Sequence, residues 1–265
     1  VDMELIELEK KYRAEGTKFN RVLRLKEELD KCSLRRTKDL LDLPPKNIIH
    51  EIVDMRDDQR KFYDNIVDGI VDNIDKVTIS PDSIFSTLIR LRQATACPSI
   101  LTTENISSAK IERCMDLVEQ IISNGEKVVI YSTFKETLSI LLKQLSQYNP
   151  LLCTGDVSDV VISENVDKFQ SDDTYKVILA TWSKMGTGIT LTASSNIIFI
   201  DCAWTASSNE QAEDRCHRIG SNKPVFIYYL WANDTVDLKV KELVEDKSLI
   251  KTKSKKSQQF RKLCI

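Results

Sequence analysis

Apolar residues are spaced in two different ways along this chain. From residue 1 to about 42 the stretch is strongly charged, and Leu5, Leu8, Val22, Leu25 and Leu29 recur at three- and four-residue spacing, which predicts helix. Pro44-Pro45 stops it. Residues 43–108 read as a short strand, NIIHEIVDM, followed by helices at QRKFYDNIVDGIVDNI and IFSTLIRLRQAT, all explained by plain packing. From about 109 to 250, β-branched apolar runs alternate with helix-period segments. The runs are KVVIYS (127–132), PLLCTG (150–155), KVILAT (176–181), NIIFID (196–201) and VFIYYL (225–230). That alternation predicts an α/β unit, a parallel sheet with helices on both faces. Ligands in such sheets collect outside the carboxyl ends of the strands. Residues 251–265 carry six Lys or Arg and no acid, and read as a basic tail.

Composition narrows the function classes. Of 265 residues 42% are apolar, enough for a substantial core. Lys+Arg minus Asp+Glu is 38 − 40 = −2, so a nucleic-acid surface, if present, is local. No apolar run reaches the ~18–20 residues of a membrane span, and the acidic opening lacks the apolar region of a secretory signal. An intracellular protein without a membrane partner is expected, in cytoplasm or nucleoid if bacterial or phage and in the nucleus if eukaryotic. The seven cysteines are scattered with no CxxC pair, which fits small buried apolar residues. His50 and His217 have no surrounding ligand cluster, so no metal site is expected.

Three strand ends carry unusual chemistry. In KVILATWSKMGTGITLT the strand ends at Ala180-Thr181 and runs into Gly186, Thr187 and Gly188. Such glycines permit either a phosphate cradle or a bare tight turn. In NIIFIDCAWTA, Asp201 ends a strand and Trp204 follows, as a packing residue or as an aromatic facing nucleic acid or another lobe. In EQAEDRCHRIG, Gln211, Arg215 and Arg218 fall at i, i+4 and i+7, one face of a continuous helix. Two guanidiniums and an amide there suit a developing phosphoryl charge, or else a solvated face of Glu–Arg pairs. Cys216, His217 and Asp214 do not form a nucleophilic triad, because helix neighbours point about 100° apart.

In order, KVVIYSTF, VILATWSKMGTGITLT, IIFIDCAW and QAEDRCHRIG resemble the second RecA-like lobe of the Swi/Snf family of helicase-like ATPases. LRRTKDLLDLPPK resembles the segment crossing between its two lobes, and LIRLRQATACPSIL its LRxxxxHP-type helix end, so the resemblance spans roughly residues 34–250. Departures stand at Ser221, Thr205-Ala206, Cys97 and Lys184-Met185, where the family usually has Gln, Asn-Pro, His and Ala-Gly.

The resemblance implies ATP bound between two lobes, with Mg2+ held by an N-terminal lobe. That lobe's lysine loop and acidic pair are not in this sequence, so this chain alone is expected to be inactive. Arg218 and Arg215 would act as arginine fingers and Gln211 would orient nearby groups. Gly186, Thr187, Gly188, Asp201 and Asp214 would line the ATP side. Ser132, Thr133, Phe134, Thr181, Trp182, Lys184 and Trp204 would meet the backbone of double-stranded DNA. Two alternatives stand beside this motor reading: a non-catalytic RecA-like recruitment module, and a Rossmann-like enzyme, which would need a glycine fingerprint the chain lacks.

Overall fold

The computed structural model describes residues 43–74, 81–182, 184 and 189–253. The helix expected within 1–42 lies outside them, as do Gly186, Thr187, Gly188 and residues 254–265.

All six expected strands form. They are β1 (Lys46–Val53), β2 (Val128–Ser132), β3 (Leu151–Cys153), β4 (Val177–Thr181), β5 (Asn196–Phe199) and β6 (Val225–Ala232). They make one sheet in the order β1-β6-β5-β2-β4-β3, every pairing parallel. The described helices are α1 (Asp57–Ile74), α2 (Pro81–Ala96), α3 (Ala109–Ser123), α4 (Lys135–Gln144), α5 (Asp159–Ser171), α6 (Ala206–Cys216) and α7 (Val236–Lys253). The last runs three residues into the segment read as a basic tail.

Alternation along the strands produces three layers. Val128, Ile130, Val177, Leu179 and Ile198 face α3 and α4, whose Cys114, Leu117, Val118, Leu138 and Leu141 are buried. Val129, Tyr131, Ile178, Phe199 and Ile227 face the other way, onto Ile162 and Phe169 of α5, Ala212 and Cys216 of α6, and Val240 of α7. On that second face an aromatic ladder crosses four strands. Trp182 stacks on Phe199 at 4.7 Å, Phe199 on Tyr131 at 5.2 Å and on Tyr229 at 4.5 Å, and Tyr229 on His50 at 5.7 Å. The strand register places these rings side by side, since Tyr131 pairs with Phe199, Phe199 with Tyr229, and Tyr229 with His50.

Local signals in the sequence set the helix ends. Ser108, Ser158 and Thr205 cap α3, α5 and α6 by accepting a backbone N–H in the first turn. Helix α3 closes with Gly125 at φ 76, whose N–H reaches Ile122 O while the Glu126 N–H reaches Ile121 O. A left-handed residue is required for that paired closure, which turns the chain into β2.

Candidate functional site

The chemistry-bearing residues separate to two ends of the sheet. At the carboxyl end Asp201, 3% exposed, ties three elements together. Its carboxyl accepts from Ser132 Oγ, at the end of β2, at 2.6 Å and from the N–H of the next residue, Thr133, at 2.9 Å, and faces Arg92 Nη2 of α2 at 3.5 Å. Arg92 also donates to Cys202 O and lies 4.5 Å over the Trp204 ring. Burial pushes the adjacent Cys202 thiol up to about 12.

This arrangement changes two expectations. The β5 ladder stops at Phe199, so Asp201 lies two residues beyond the strand, and its carboxyl is turned into the protein, onto Ser132 and Thr133. Ser132 is fully buried, its hydroxyl donating to Asp201 and accepting from the Phe134 N–H, which leaves that side chain no surface for a DNA phosphate. Phe134 is also buried, whereas the Thr133 side chain is exposed.

A second polar knot adjoins the first. Lys110 of α3, 1% exposed, pairs with Asp237 at the start of α7 and donates to Ile200 O at 2.9 Å. Asp237 also accepts from Thr95 Oγ1 at 3.1 Å and from the Ala232 N–H at 3.1 Å. Gln59 of α1 is buried, bonding Ala94 O and the Ala109 N–H. The helices of 43–108 therefore do more than pack. They deliver Arg92, Thr95 and Gln59 to the underside of the strand-end loops. The available signal was a charged residue inside the apolar stripe of IFSTLIRLRQAT.

The arginines stand at the other end. Helix α6 runs back from the carboxyl end of β5 toward the start of β6, so its last turn lies at the amino end of the sheet. It also stops earlier than the spacing predicts. His217 leaves helical geometry at φ −89 and ψ 76, and Gly220 at φ 104 carries the chain round toward β6. Arg218 is thus beyond the helix, and the one-face arithmetic for Gln211, Arg215 and Arg218 does not hold. The two guanidiniums are brought together by another route. Arg215 Nη1 reaches Ile189 O at 3.4 Å, Arg218 Nη1 reaches Thr190 Oγ1 at 3.2 Å, and the Leu191 N–H bonds Arg215 O at 2.8 Å. Both therefore converge on residues 189–191, directly after the glycine segment. Arg218 and Gln211 are exposed; Arg215 and Asp214 are partly buried on α6. A cavity of about 300 Å³ lies beside this turn, lined in part by Lys127, Thr192, Gly220 and Lys223.

The remaining candidates follow the strand ends. Thr181 is buried, and neither its hydroxyl nor Trp182 Nε1 nor the Tyr131 hydroxyl finds a hydrogen-bond partner among the described residues. Lys184 is paired with Asp159 at 2.8 Å, and Trp204 sits 6.1 Å from the exposed Phe85 ring. Cys216 is fully buried, and burial raises its thiol pKa, so no nucleophile arises beside His217. Among the described residues no group of three or more His, Cys, Asp or Glu gathers to hold a metal, and no helix is long and apolar enough to cross a membrane.

Residues 109–220 match the family model described as the helicase conserved C-terminal domain. The chain is 28% identical over 242 residues to an uncharacterized ATP-dependent helicase of Mycoplasma genitalium, covering 83% of this chain and 23% of that protein. It thus spans under a quarter of that relative's length. The Sulfolobus solfataricus SWI2/SNF2 ATPase core in complex with dsDNA superposes with a TM-score of 0.68 at 27% identity, covering 90% of this chain and 53% of that one. The SWI2/SNF2 ATPase core domain from the same organism gives 0.67 at 30% identity, covering 88% and 50%.

Proposed function

The chain carries the C-terminal, RecA-like lobe of a Swi/Snf-family ATPase, and from that premise we propose that it works as the second motor lobe of an ATP-dependent double-stranded-DNA translocase or remodeller. An N-terminal lobe of the same parent protein would hold ATP with its Mg2+, and this chain would complete the cleft.

The convergence of Arg215 and Arg218 on residues 189–191 carries the reading. A transferred phosphoryl group spreads negative charge over its oxygens, and a guanidinium fixed beforehand stabilises that charge without reorganising. Exposed Arg218 is the finger. Arg215, bonded by side chain and backbone to the 189–191 segment, holds the turn and adds a second positive charge. Gln211 lies one turn earlier on α6. In sequence, Gly186, Thr187 and Gly188 directly precede the residues that the arginines reach, which supports an ATP-side role for them.

Duplex DNA would be met at the opposite end of the sheet, by the Thr133 side chain, Lys184 and Trp204, with Asp201 and Ser132 shaping the loop from beneath. Contacts of this kind touch the backbone and read no bases, so binding would be sequence-independent and salt-sensitive. The Sulfolobus core solved with dsDNA supports a duplex as the ligand. Closing and opening of the cleft would then move one lobe against the other along the duplex.

The test is steady-state ATPase of the parent protein with and without duplex DNA, beside Arg218→Ala. DNA-stimulated hydrolysis that falls about 10³-fold in the variant is the expected result. Hydrolysis unchanged in Arg218→Ala would favour a recruitment module that uses the same fold without the finger.

A further inference from the structure

We propose that residues 44–46 clasp the arginine-bearing end of α6, and that Lys46, Glu213 and His217 are positioning residues that set where Arg215 and Arg218 stand. The proposal rests on reading residues 34–46 as the crossing to the N-terminal lobe and Arg218 as the finger.

Two bonds join the crossing segment to α6. Lys46 Nζ lies 2.7 Å from Glu213 Oε2, and the His217 Nε2–H donates to Pro44 O at 2.8 Å. A third, from the Val225 N–H to Pro45 O at 2.9 Å, holds the same segment to the start of β6. Residues 213 and 217 bracket Arg215, and His217 is the neighbour of Arg218, so the clasp grips the chain on both sides of Arg215 and immediately before Arg218.

Its anchor is rigid. Glu213 is 3% exposed, and its second oxygen accepts from Tyr229 Oη at 2.6 Å. Burial and the Glu213 carboxyl beside it both push the Tyr229 hydroxyl pKa up, so it stays protonated as a donor. Tyr229 is locked in the aromatic ladder between Phe199 and His50. A buried carboxyl is tolerated only when both oxygens are engaged, and here one is engaged by the sheet and the other by the crossing segment.

The segment has few other means of being held. The β1 ladder begins at Lys46, opposite Val225, and β1 is the edge strand with a neighbour on one side only. Pro44 and Pro45 have no N–H to offer a ladder, so this stretch binds through carbonyls and one lysine. A shift of the crossing segment is thereby passed to the last turn of α6. Movement of the other lobe and placement of the fingers become one event.

The experiment compares full-length parent protein with Lys46→Met, Lys46→Arg, Arg218→Ala and the Lys46→Met/Arg218→Ala pair, by DNA-stimulated ATPase and thermal melting. The expected result is a kcat lowered about 10- to 100-fold in Lys46→Met. ATP KM should stay at the wild-type value, the melting temperature should fall in Lys46→Met because the buried Glu213 carboxyl loses its charged partner, and Lys46→Arg should restore both kcat and melting temperature. Lys46→Met should lower kcat much less in the Arg218→Ala background than in the wild type, because the finger it positions is already absent. Wild-type kcat in Lys46→Met, a loss that multiplies in full with Arg218→Ala, or a loss of kcat that Lys46→Arg does not restore would each overturn the clasp while leaving the finger intact. Undiminished hydrolysis in Arg218→Ala would overturn the finger itself, and the clasp with it.

Discussion

Arg92 and Asp201 face each other at 3.5 Å across 109 residues of sequence, with side chains 3% and 2% exposed. The guanidinium joins the α1–α2 region to the carboxyl end of the sheet, and the carboxyl holds the turn after β2. Removing one member leaves the other charge buried, which costs about 3–5 kcal/mol where no water can replace it. Arg92→Ala is therefore expected to lower unfolding free energy in urea by about that amount. Arg92→Lys should recover little, since a single ammonium cannot replace a planar group that also reaches Cys202 O and covers Trp204. A loss under about 1 kcal/mol in Arg92→Ala would mean that solvent enters the pocket.

The two arginines separate on stability. Arg218 is exposed, and its bond to Thr190 is at the surface. Replacing it should change stability by less than about 0.5 kcal/mol. Arg215 is partly buried and its guanidinium bonds Ile189 O, so Arg215→Ala should cost about 1–2 kcal/mol as well as activity. Melting curves of the two variants check this. Equal losses would place both side chains in the same structural role.

Much of this architecture was legible in the sequence. Six apolar runs became six parallel strands because β-branched stretches of five or so residues between helix-period segments leave few other arrangements. The roles of Ser132 and Asp201 were not legible, because a hydroxyl and a carboxyl at strand ends look alike whether they face a ligand or each other. Arg92, Lys110 and Asp237 were overlooked for a related reason: their partners lie 90 to 142 residues away, and no spacing rule reports such pairs. Gly220 did not mark the early end of α6, since it stands four residues past Cys216 and serves the turn toward β6. The i, i+4, i+7 pattern masked that end.

His50 gives the fold a measurable response to acid. Its Nδ1 accepts from Trp231 Nε1 at 3.0 Å, which requires that nitrogen to be bare. Burial holds its pKa below the ordinary 6.5, and the Lys241 charge adds to this, against opposing contributions from Glu245 and Glu213. The folded state thus binds a proton less readily than the unfolded chain, so stability rises with pH across this interval. The contribution is complete above 6.5 and is lost as the pH falls through the lower folded-state value. Urea midpoints measured between about pH 7.5 and 5 should decline more steeply for the wild type than for His50→Gln. Parallel curves would show that the ring exchanges its proton as freely as in the unfolded chain.

Lys184 offers the sharpest check on the DNA side. Its ammonium lies 2.8 Å from Asp159, whose side chain is 89% exposed, so the pair is a surface one worth at most about 1 kcal/mol and readily exchanged. A phosphate entering from solvent would compete with Asp159 for the same charge. Each phosphate neutralised by a lysine releases about 0.9 of a counterion from duplex DNA, which fixes the slope of log affinity against log salt. Lys184→Ala in the parent protein should therefore weaken binding to all sequences alike and reduce that slope by about one. Asp159→Asn removes the competitor and should tighten binding at low salt. Ser132→Ala provides the contrast: its hydroxyl is buried against Asp201, so it should lower stability and leave the salt slope untouched. A slope unchanged in Lys184→Ala would move the duplex away from this end of the sheet, and the exposed Thr133 side chain beside it would lose its role as well.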